Sequence, residues 1–211
     1  MPRAPGQVDE QKSQAILQAA QDLFAEKGAG ASMAEIARRA GVSKQTLYNR
    51  FPSKTEIGRA LAAQRSDAIT APLRSGAGVE DVLAAIAETL ICKIRQGGRG
   101  ASLRGVALMS PEVPELAQAI YDAGPGASVR RIAEWLTEQD HLGRLSIPDP
   151  ALAAEMFAGM VLGHGHLRSV LGLAQPPVAE AAAHARETAR RFIRAFAPEG
   201  SGGVGGGDGS A

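Results

Sequence analysis

Apolar residues recur at helical spacing along most of the chain. Over residues 9–27 they fall three or four positions apart, and Gly28 follows, a residue type favoured just past a helix end. Residues 79–96 repeat this spacing with a stripe on one side, as expected for a helix that faces a core. The sequence shows no convincing alternation of the kind that predicts β-strands. The pattern therefore predicts an all-α protein.

Three serines predict helix starts between these two segments. They are Ser32, Ser43 and Ser53. Glu35 and Glu56 follow the first and the last of them by three residues, which is the pattern of a capping box. Gly41 ends the first of the short helices. We therefore predict a three-helix N-terminal unit in residues 1–53, followed by a connecting helix over residues 54–70.

The rest of the chain is predicted to be helical as well. Shorter helices are expected over residues 101–109 and 115–123, and a longer one over residues 129–139. Asp149, placed between two prolines, is a strong start signal for a helix over residues 151–173. Two further prolines separate that helix from a last one over residues 178–196. We assign residues 54–199 to a second domain, and the glycine-rich tail, 200–211, is predicted to be disordered.

The helix over residues 151–173 is apolar nearly all the way round. A helix of this kind must be covered on every side, and in a small domain the second cover is often another subunit. We therefore predict a homodimer that forms through the two C-terminal helices, 151–173 and 178–196. Val161 or Leu162 is expected to face the partner.

Charge divides the chain into a basic N-terminal part and a mildly acidic remainder. Residues 1–60 carry a net charge of +3 and residues 61–211 a net charge of −2, and residues 27–59 alone carry +5. This asymmetry indicates a polyanionic partner for the basic part. The alternative is a basic surface without a partner.

The reactive side chains give no sign of a metal site, a cofactor or catalysis. The single cysteine, Cys92, excludes a disulfide framework and lies in an apolar run, where packing is favoured over redox sensing. His164 and His166 would diverge on a helix, so hydrogen-bonded histidines are favoured over a shared metal ion. The sequence contains no Walker loop, GxSxG or HExxH motif. We therefore expect no metal, no cofactor and no enzymatic activity.

No segment predicts a membrane span or a signal peptide. The longest charge-free apolar stretch, residues 156–167, is shorter than the ~20 residues that a span needs. Residues 1–13 lack the apolar core of a secretory signal. We therefore expect no membrane partner and a cytoplasmic location.

Residues 34–54 have the form of a helix-turn-helix, two short helices joined through Gly41. In such a unit the second helix enters the DNA major groove. Leu47 defines the buried face of that helix, and Gln45 and Asn49, four residues apart, point away from it. Both are amides, which can pair with the N6 and N7 edge of adenine. The two residues are therefore the predicted base readers.

Other polar residues of this helix are predicted to contact bases or phosphates. Lys44 and Thr46 lie at its start, and Tyr48 lies on its flank, where a hydroxyl suits a phosphate. The alternative is an ordinary surface helix with its polar residues outward. That alternative accounts for Gln45 or Asn49 alone, but not for the glycine turn, the cap and the basic surroundings together.

The N-terminal residues also resemble those of the tetracycline-repressor-like (TetR/AcrR) transcriptional regulators. The similarity covers about residues 11–60 and rests on Ser32-Met-Ala-Glu-Ile-Ala37, Ala40-Gly-Val-Ser43, Leu47-Tyr48, Phe51 and Ser53-Lys54-Thr-Glu56. The resemblance implies that Tyr48 and Lys54 contact phosphates, as do Ser32 and Ser43, and that Phe51 anchors the core. Arg50 departs from the His or aromatic residue often found at its position.

The C-terminal part resembles a subgroup of AcrR-like regulators in residues 109–116, 121–125 and 147–157. The resemblance implies an all-helical effector domain that dimerises through its last two helices and encloses an apolar ligand pocket. The residues expected to line it in part are Leu90, Met109, Trp135, Phe157 and His164. Core filling remains the alternative role for Trp135 and Phe157.

The predicted function is that of a homodimeric transcriptional regulator that responds to a ligand. We expect a repressor that binds a palindromic double-stranded DNA operator and is released by a small apolar effector. Activation within the same family is one alternative. A helical small-molecule binding protein with a vestigial helix-turn-helix is the other.

Overall fold

A computed structural model of the chain describes residues 5–95 and 114–198. Within these residues the regular elements are nine α-helices and three short 3-10 helices, as the apolar periodicity predicts. The α-helices are α1 (Pro5–Lys27), α2 (Met33–Arg39), α3 (Lys44–Arg50), α4 (Lys54–Thr70), α5 (Val79–Arg95), α6 (Pro114–Ala123), α7 (Pro125–His141), α8 (Pro150–Leu171) and α9 (Ala181–Ala195). The 3-10 helices are Gly28–Gly30, Ala71–Arg74 and Val178–Glu180. The predicted helix over 101–109, Met109 and the tail over 200–211 lie outside the described residues.

The first core is built by α1 to α4. Its buried members come from all four helices and include Ile16, Leu23, Ile36, Leu47 and Ile57. The apolar positions of α1 supply the largest share, because its three- to four-residue spacing places them on one side of the helix. The short helices α2 and α3 each close against this surface, so their outward faces are fixed.

The second core lies among α5, α7, α8 and α9. Ile86, Leu136, Phe157 and Phe192 are fully buried in it. The rings of Phe157 and Phe192 meet edge to face, with centroids 5.2 Å apart, a favoured aromatic geometry. α9 lies along α5, and α8 packs on α7 and α5.

Helix α4 takes part in both cores, because Ile57 lies in the first core and Ile69 in the second. Between these residues α4 approaches α6 and α7 closely. A Cβ atom on Gly124, between α6 and α7, would lie 3.2 Å from Ala62 Cβ and 2.9 Å from Ile120 O. Only glycine therefore fits this contact, which places α4 directly against the junction of α6 and α7.

Two helices differ from their predicted form. α7 begins at Pro125, four residues before the predicted start, because proline suits the first position of a helix and Gly124 alone separates α6 from α7. α8 is interrupted at Gly163, whose φ of 42° and ψ of −141° are non-helical. That conformation is available to glycine, so the break coincides with a residue that permits it. Gly172, in the left-handed conformation, ends α8.

Candidate nucleic-acid interface

The start of α2 is fixed by a complete capping box. The Ser32 Oγ atom accepts a hydrogen bond from the Glu35 N–H at 3.2 Å, and the Glu35 Oε2 atom accepts one from the Ser32 N–H at 3.0 Å. The Glu35 Oε1 atom also pairs with Lys27 Nζ at 2.5 Å, which ties α2 to the end of α1. The hydrogen bond from Lys27, followed by those from Ser32, lowers the pKa of Glu35 to about 2.

The turn from α2 to α3 depends on Gly41. Its φ of +66° lies in the left-handed region, which favours glycine. The Val42 N–H donates to Ala37 O at 3.0 Å, so the chain reverses directly after α2. The two helices are therefore joined as a helix-turn-helix, as the sequence predicts.

Helix α3 begins at the predicted cap. The Ser43 Oγ atom accepts from the Thr46 N–H at 3.0 Å and lies 2.8 Å from Thr46 Oγ1. Leu47 is fully buried, whereas Lys44, Gln45 and other residues of the opposite face are exposed. Thr46 is half-buried beside the cap.

The two predicted base readers lie side by side on the exposed face. Gln45 Nε2 donates a hydrogen bond to Asn49 Oδ1 at 2.9 Å. This bond leaves Gln45 Oε1 free to accept and Asn49 Nδ2 free to donate. Adenine offers one donor, N6, and one acceptor, N7, on its major-groove edge. The pair therefore carries the complementary set of groups.

The predicted phosphate contacts surround this pair. Tyr48 is 48% exposed on α3. Ser32 and Ser43 are exposed at the starts of α2 and α3, and their hydroxyls already bond within the caps. Lys54 is the first residue of α4 and is half-buried. Ser53 caps that helix by accepting from the Glu56 N–H at 3.2 Å.

Arg50 has a role that the sequence did not reveal. Its Nη1 atom donates to Asp9 O and to Ser13 Oγ, both at 2.7 Å, and its Nη2 atom pairs with the Asp9 carboxylate. Only 20% of its side chain is exposed. Arg50 thus fixes the end of α3 to α1. The 41 positions that separate Arg50 from Asp9 leave no local signal for this contact.

Ion pairs reduce the positive charge that the sequence assigns to this region. Glu26 and Asp9 lie outside the basic segment 27–59, yet they pair with Arg39 and Arg50. The bidentate bond from Arg39 lowers the pKa of Glu26. Within the described part of the chain, Arg38 and Lys44 have no acidic partner. Over these residues, the positive charge that remains without an acidic partner includes Arg38 on α2 and Lys44 at the start of α3.

The predicted effector residues do not all lie together. Trp135 and Phe157 are buried in the second core, and Leu90 packs against it half-buried. His164 is exposed, one residue after the break in α8. His166 is exposed too, and no group of three or more potential metal ligands occurs in the two described stretches. Cys92 is half-buried beside the core.

The outward face of α8 exposes a row of large apolar side chains. It consists of Leu152, Met156, Met160, Leu167 and Leu171, between 39% and 57% exposed. Of the two residues expected to face the partner, Val161 is 1% exposed in the core of its own chain and so does not, whereas Leu162 is half-buried. Packing against α5, α7 and α9 selects which side of this apolar helix turns inward. We call the exposed row the α8 stripe.

No helix within the described ranges combines the length and apolar character needed to cross a membrane.

Two family profiles together match most of the chain. Residues 16–61 match the profile described as bacterial regulatory proteins, tetR family, and residues 81–198 match that of the AefR-like transcriptional repressor, C-terminal domain. The second match alone spans more than half of the 211 residues.

Solved structures share the whole architecture. A TetR-family transcriptional regulator from Mesorhizobium loti is 26% identical, with a TM-score of 0.75, and the alignment covers 90% of this chain and 98% of that one. The flavonoid-responsive regulator FrrA is 31% identical, with a TM-score of 0.68, covering 90% and 99%. NalD of Pseudomonas aeruginosa, the secondary repressor of the MexAB-OprM multidrug efflux pump, is similar in fold at 21% identity, with a TM-score of 0.62, covering 92% and 99%.

Proposed function

Because the chain belongs to the TetR family of bacterial transcriptional regulators, we propose that it is a homodimeric, ligand-responsive repressor. In this proposal it binds a palindromic operator and is released by a small apolar effector. The observation that carries the proposal is the exposed amide pair, Gln45 and Asn49, on a capped helix whose opposite side is buried through Leu47. Because its partner is chromosomal DNA, the proposal places the protein in the cytoplasm.

The DNA contacts divide by chemistry. Gln45 and Asn49 read base edges in the major groove, and Lys44 and Thr46 act at the helix start. The phosphate contacts are assigned to Tyr48 and Lys54, together with the capping serines, Ser32 and Ser43. The proposal gives Arg50 a different task, which is to hold α3 at a fixed angle on α1.

The α8 stripe supports the proposed dimer. Exposed apolar groups of this size that recur along one helix, here on both sides of the break at Gly163, are typical of a surface that another protein covers. A second copy of the chain would place its own stripe against this one about a two-fold axis. The two N-terminal three-helix units, which we call the DNA-binding heads, would then face two half-sites of a near-palindrome.

The effector site is proposed to lie at the second core. Leu90, Trp135 and Phe157 remain the proposed lining, with His164 at its margin and Met109 assigned from the sequence alone. FrrA, which is named for its response to flavonoids, shares 31% of its residues with this chain. We therefore propose an aromatic, largely apolar effector.

A polar joint between α4 and α7 offers a route from effector to DNA. The Ser128 Oγ atom donates to Ser66 Oγ at 2.9 Å, and Arg131 Nη1 donates to Ser66 and Thr70 hydroxyls, both at 3.2 Å. Arg131 also pairs with Asp67 at 2.6 Å. Trp135 lies one turn beyond Arg131 on α7. A ligand that displaced Trp135 would thus move α4, whose first residue follows α3 after only three positions.

The test uses the intact protein and a duplex that covers the DNA upstream of its own gene, with a scrambled duplex as control. We expect the upstream duplex to bind at least about 10³-fold more tightly, with an affinity that falls steeply as salt rises. A hydroxylated flavonoid should release this duplex at the concentrations that change the fluorescence of Trp135, the only tryptophan. Equal binding of both duplexes, or release without a change at Trp135, would contradict the proposal.

Replacing Arg131 tests the route within the same assay. In Arg131→Met the flavonoid should still change Trp135 fluorescence but should release the duplex less effectively, because the α4–α7 joint is broken. Arg130→Met is the matched control, since Arg130 lies on the exposed side of α7 and bonds to Asp122 O of α6. Equal losses of release in both variants would argue against this route.

A further inference from the structure

The loop that follows α8 is folded back on the second domain by three side chains. Arg95 Nη1 donates to Pro177 O at 2.7 Å, and Arg168 Nη1 donates to Ala174 O at 3.2 Å. Gln175, in the middle of this loop, donates from Nε2 to Gly165 O at 3.1 Å. Three bonds over so short a segment hold the Gln175 side chain in one orientation.

The other end of the Gln175 amide has no partner. Gln175 is half-buried as a residue, but its Oε1 atom is buried and accepts no hydrogen bond, the single such side-chain atom in the described ranges. Rotating the amide would bring Oε1 against the Gly165 carbonyl, another acceptor, so the orientation is set by the Nε2 bond. A buried acceptor without a donor is unfavourable and calls for an explanation.

An apolar side chain, that of Ile94, lies near this acceptor. A Cβ atom on Gly165 would lie 3.6 Å from Gln175 Oε1 and 3.9 Å from Ile94 Cγ2. Ile94 lies one turn beyond Leu90 on α5, and Leu90 packs against the second core. The break in α8 at Gly163 is two residues away. A directed acceptor beside an apolar side chain is the kind of polar group that orients a largely apolar ligand in a binding site.

We propose that Gln175 Oε1 is the hydrogen-bond acceptor for the effector, and that the effector is an aromatic molecule with a hydroxyl donor. The inference rests on the proposed function, since it assigns a polar anchor to the same effector site. It adds a chemical requirement that apolar lining alone does not impose. A ligand that lacks a donor would leave Oε1 unpaired and would bind more weakly.

The test compares a hydroxylated flavonoid with its fully O-methylated counterpart, which keeps the rings and removes the donors. Binding to the intact protein is followed by Trp135 fluorescence and by calorimetry. We expect wild type to prefer the hydroxylated compound by about tenfold, as for one well-placed hydrogen bond. Gln175→Met should abolish this preference by weakening only the hydroxylated compound.

Arg168→Met is the matched control, because it loosens the same loop without removing the acceptor. It should affect both compounds equally. The inference is overturned if Gln175→Met keeps the preference, or if wild type fails to bind the hydroxylated compound or binds both alike. Operator release separates a failure of the Gln175 assignment from a failure of the proposed function. Compounds that release DNA equally well from wild type and Gln175→Met overturn this inference alone. Compounds that bind without releasing DNA contradict the proposed function.

Discussion

The two domains of this regulator differ in where their stabilising contacts come from. In the DNA-binding head, Ser32, Ser43 and Ser53 each accept a hydrogen bond from a residue three positions later. In the C-terminal domain the core is closed by contacts between distant residues, such as Phe157 with Phe192. That domain also exposes the α8 stripe, whereas the head exposes polar groups. The N-terminal domain thus exposes polar side chains, whereas the C-terminal domain exposes an apolar row that a second copy of the chain could cover.

The largest effect should come from placing charge in the α8 stripe. Met156→Glu and Met160→Glu should each prevent dimerisation, because a buried unpaired charge costs several kcal/mol. Operator affinity should then fall by at least about 100-fold. Sedimentation velocity and operator titration measure the two effects. Leu142→Glu is the control, since Leu142 is 61% exposed in the turn after α7 and is not a member of the stripe. Dimers that persist in both stripe variants would exclude this interface.

A smaller and more selective effect is expected in the head. Gln45→Ala and Asn49→Ala should each lose about 1–3 kcal/mol on the operator and little on random DNA. Lys54→Ala should weaken both and lower the slope of affinity against salt by about one unit. Titrations of each variant on both duplexes at several salt concentrations measure this. Equal losses on both duplexes for the two amide variants would show that the sequence is read elsewhere.

Arg50 should give a weaker effect with a distinct salt dependence. Arg50→Met removes its bonds to Asp9 and Ser13, so α3 loses its attachment to α1. Operator affinity should fall by about 1 kcal/mol, with the salt slope unchanged. Asp9→Asn, on the other side of the same ion pair, should cause part of this loss. A slope reduced by one unit in Arg50→Met, as in Lys54→Ala, would identify Arg50 as a phosphate contact instead.

The smallest effect concerns the pH dependence of the head. The pKa of Glu35 is lowered from about 4.5 to about 2, so its charge stabilises the fold above pH 4.5, and this contribution is lost as pH falls towards 2. Glu35→Gln keeps the capping pattern but removes the charge. Its melting temperature should lie below that of wild type at pH 7, and the gap should narrow between pH 4.5 and 3.

Lys27→Met serves as the control for the cause of this shift, because the Lys27 bond lowers the pKa of Glu35 most. In that background, Glu35→Gln should make less difference at pH 7. A gap between wild type and Glu35→Gln that stays constant down to pH 3 would contradict the assignment.

In the N-terminal domain, the distance along the sequence between contacting residues explains what could be predicted. Ser32, Ser43 and Ser53 each form a cap with the residue three positions later, so the residue types at this spacing were sufficient to predict the caps. The bond between Arg50 and Asp9 spans 41 positions and carries no local signal. For the same reason, the net charge of +5 counted for residues 27–59 did not allow for the pairing of Arg50 with Asp9.

In the C-terminal domain the sequence predicted the helices, but not which face of α8 is buried. α8 is apolar on nearly every side, so its composition could not tell the buried Val161 from the exposed Met160. The break at Gly163 was not predicted, since glycine is also tolerated within a regular helix. The orphan acceptor of Gln175 depends on how the loop folds back on Gly165, a contact that no residue pattern encodes.

Selection of bound duplexes from a random DNA pool, with wild type, Gln45→Ala and Asn49→Ala in parallel, tests the central claim most directly. The account predicts that wild type enriches a two-fold symmetric sequence with half-sites about one helical turn, or a multiple of it, apart. Each amide variant should lose the preference for adenine at symmetric positions in both half-sites. Enrichment of no sequence, or of a sequence without two-fold symmetry, would contradict a homodimer that reads its operator through Gln45 and Asn49.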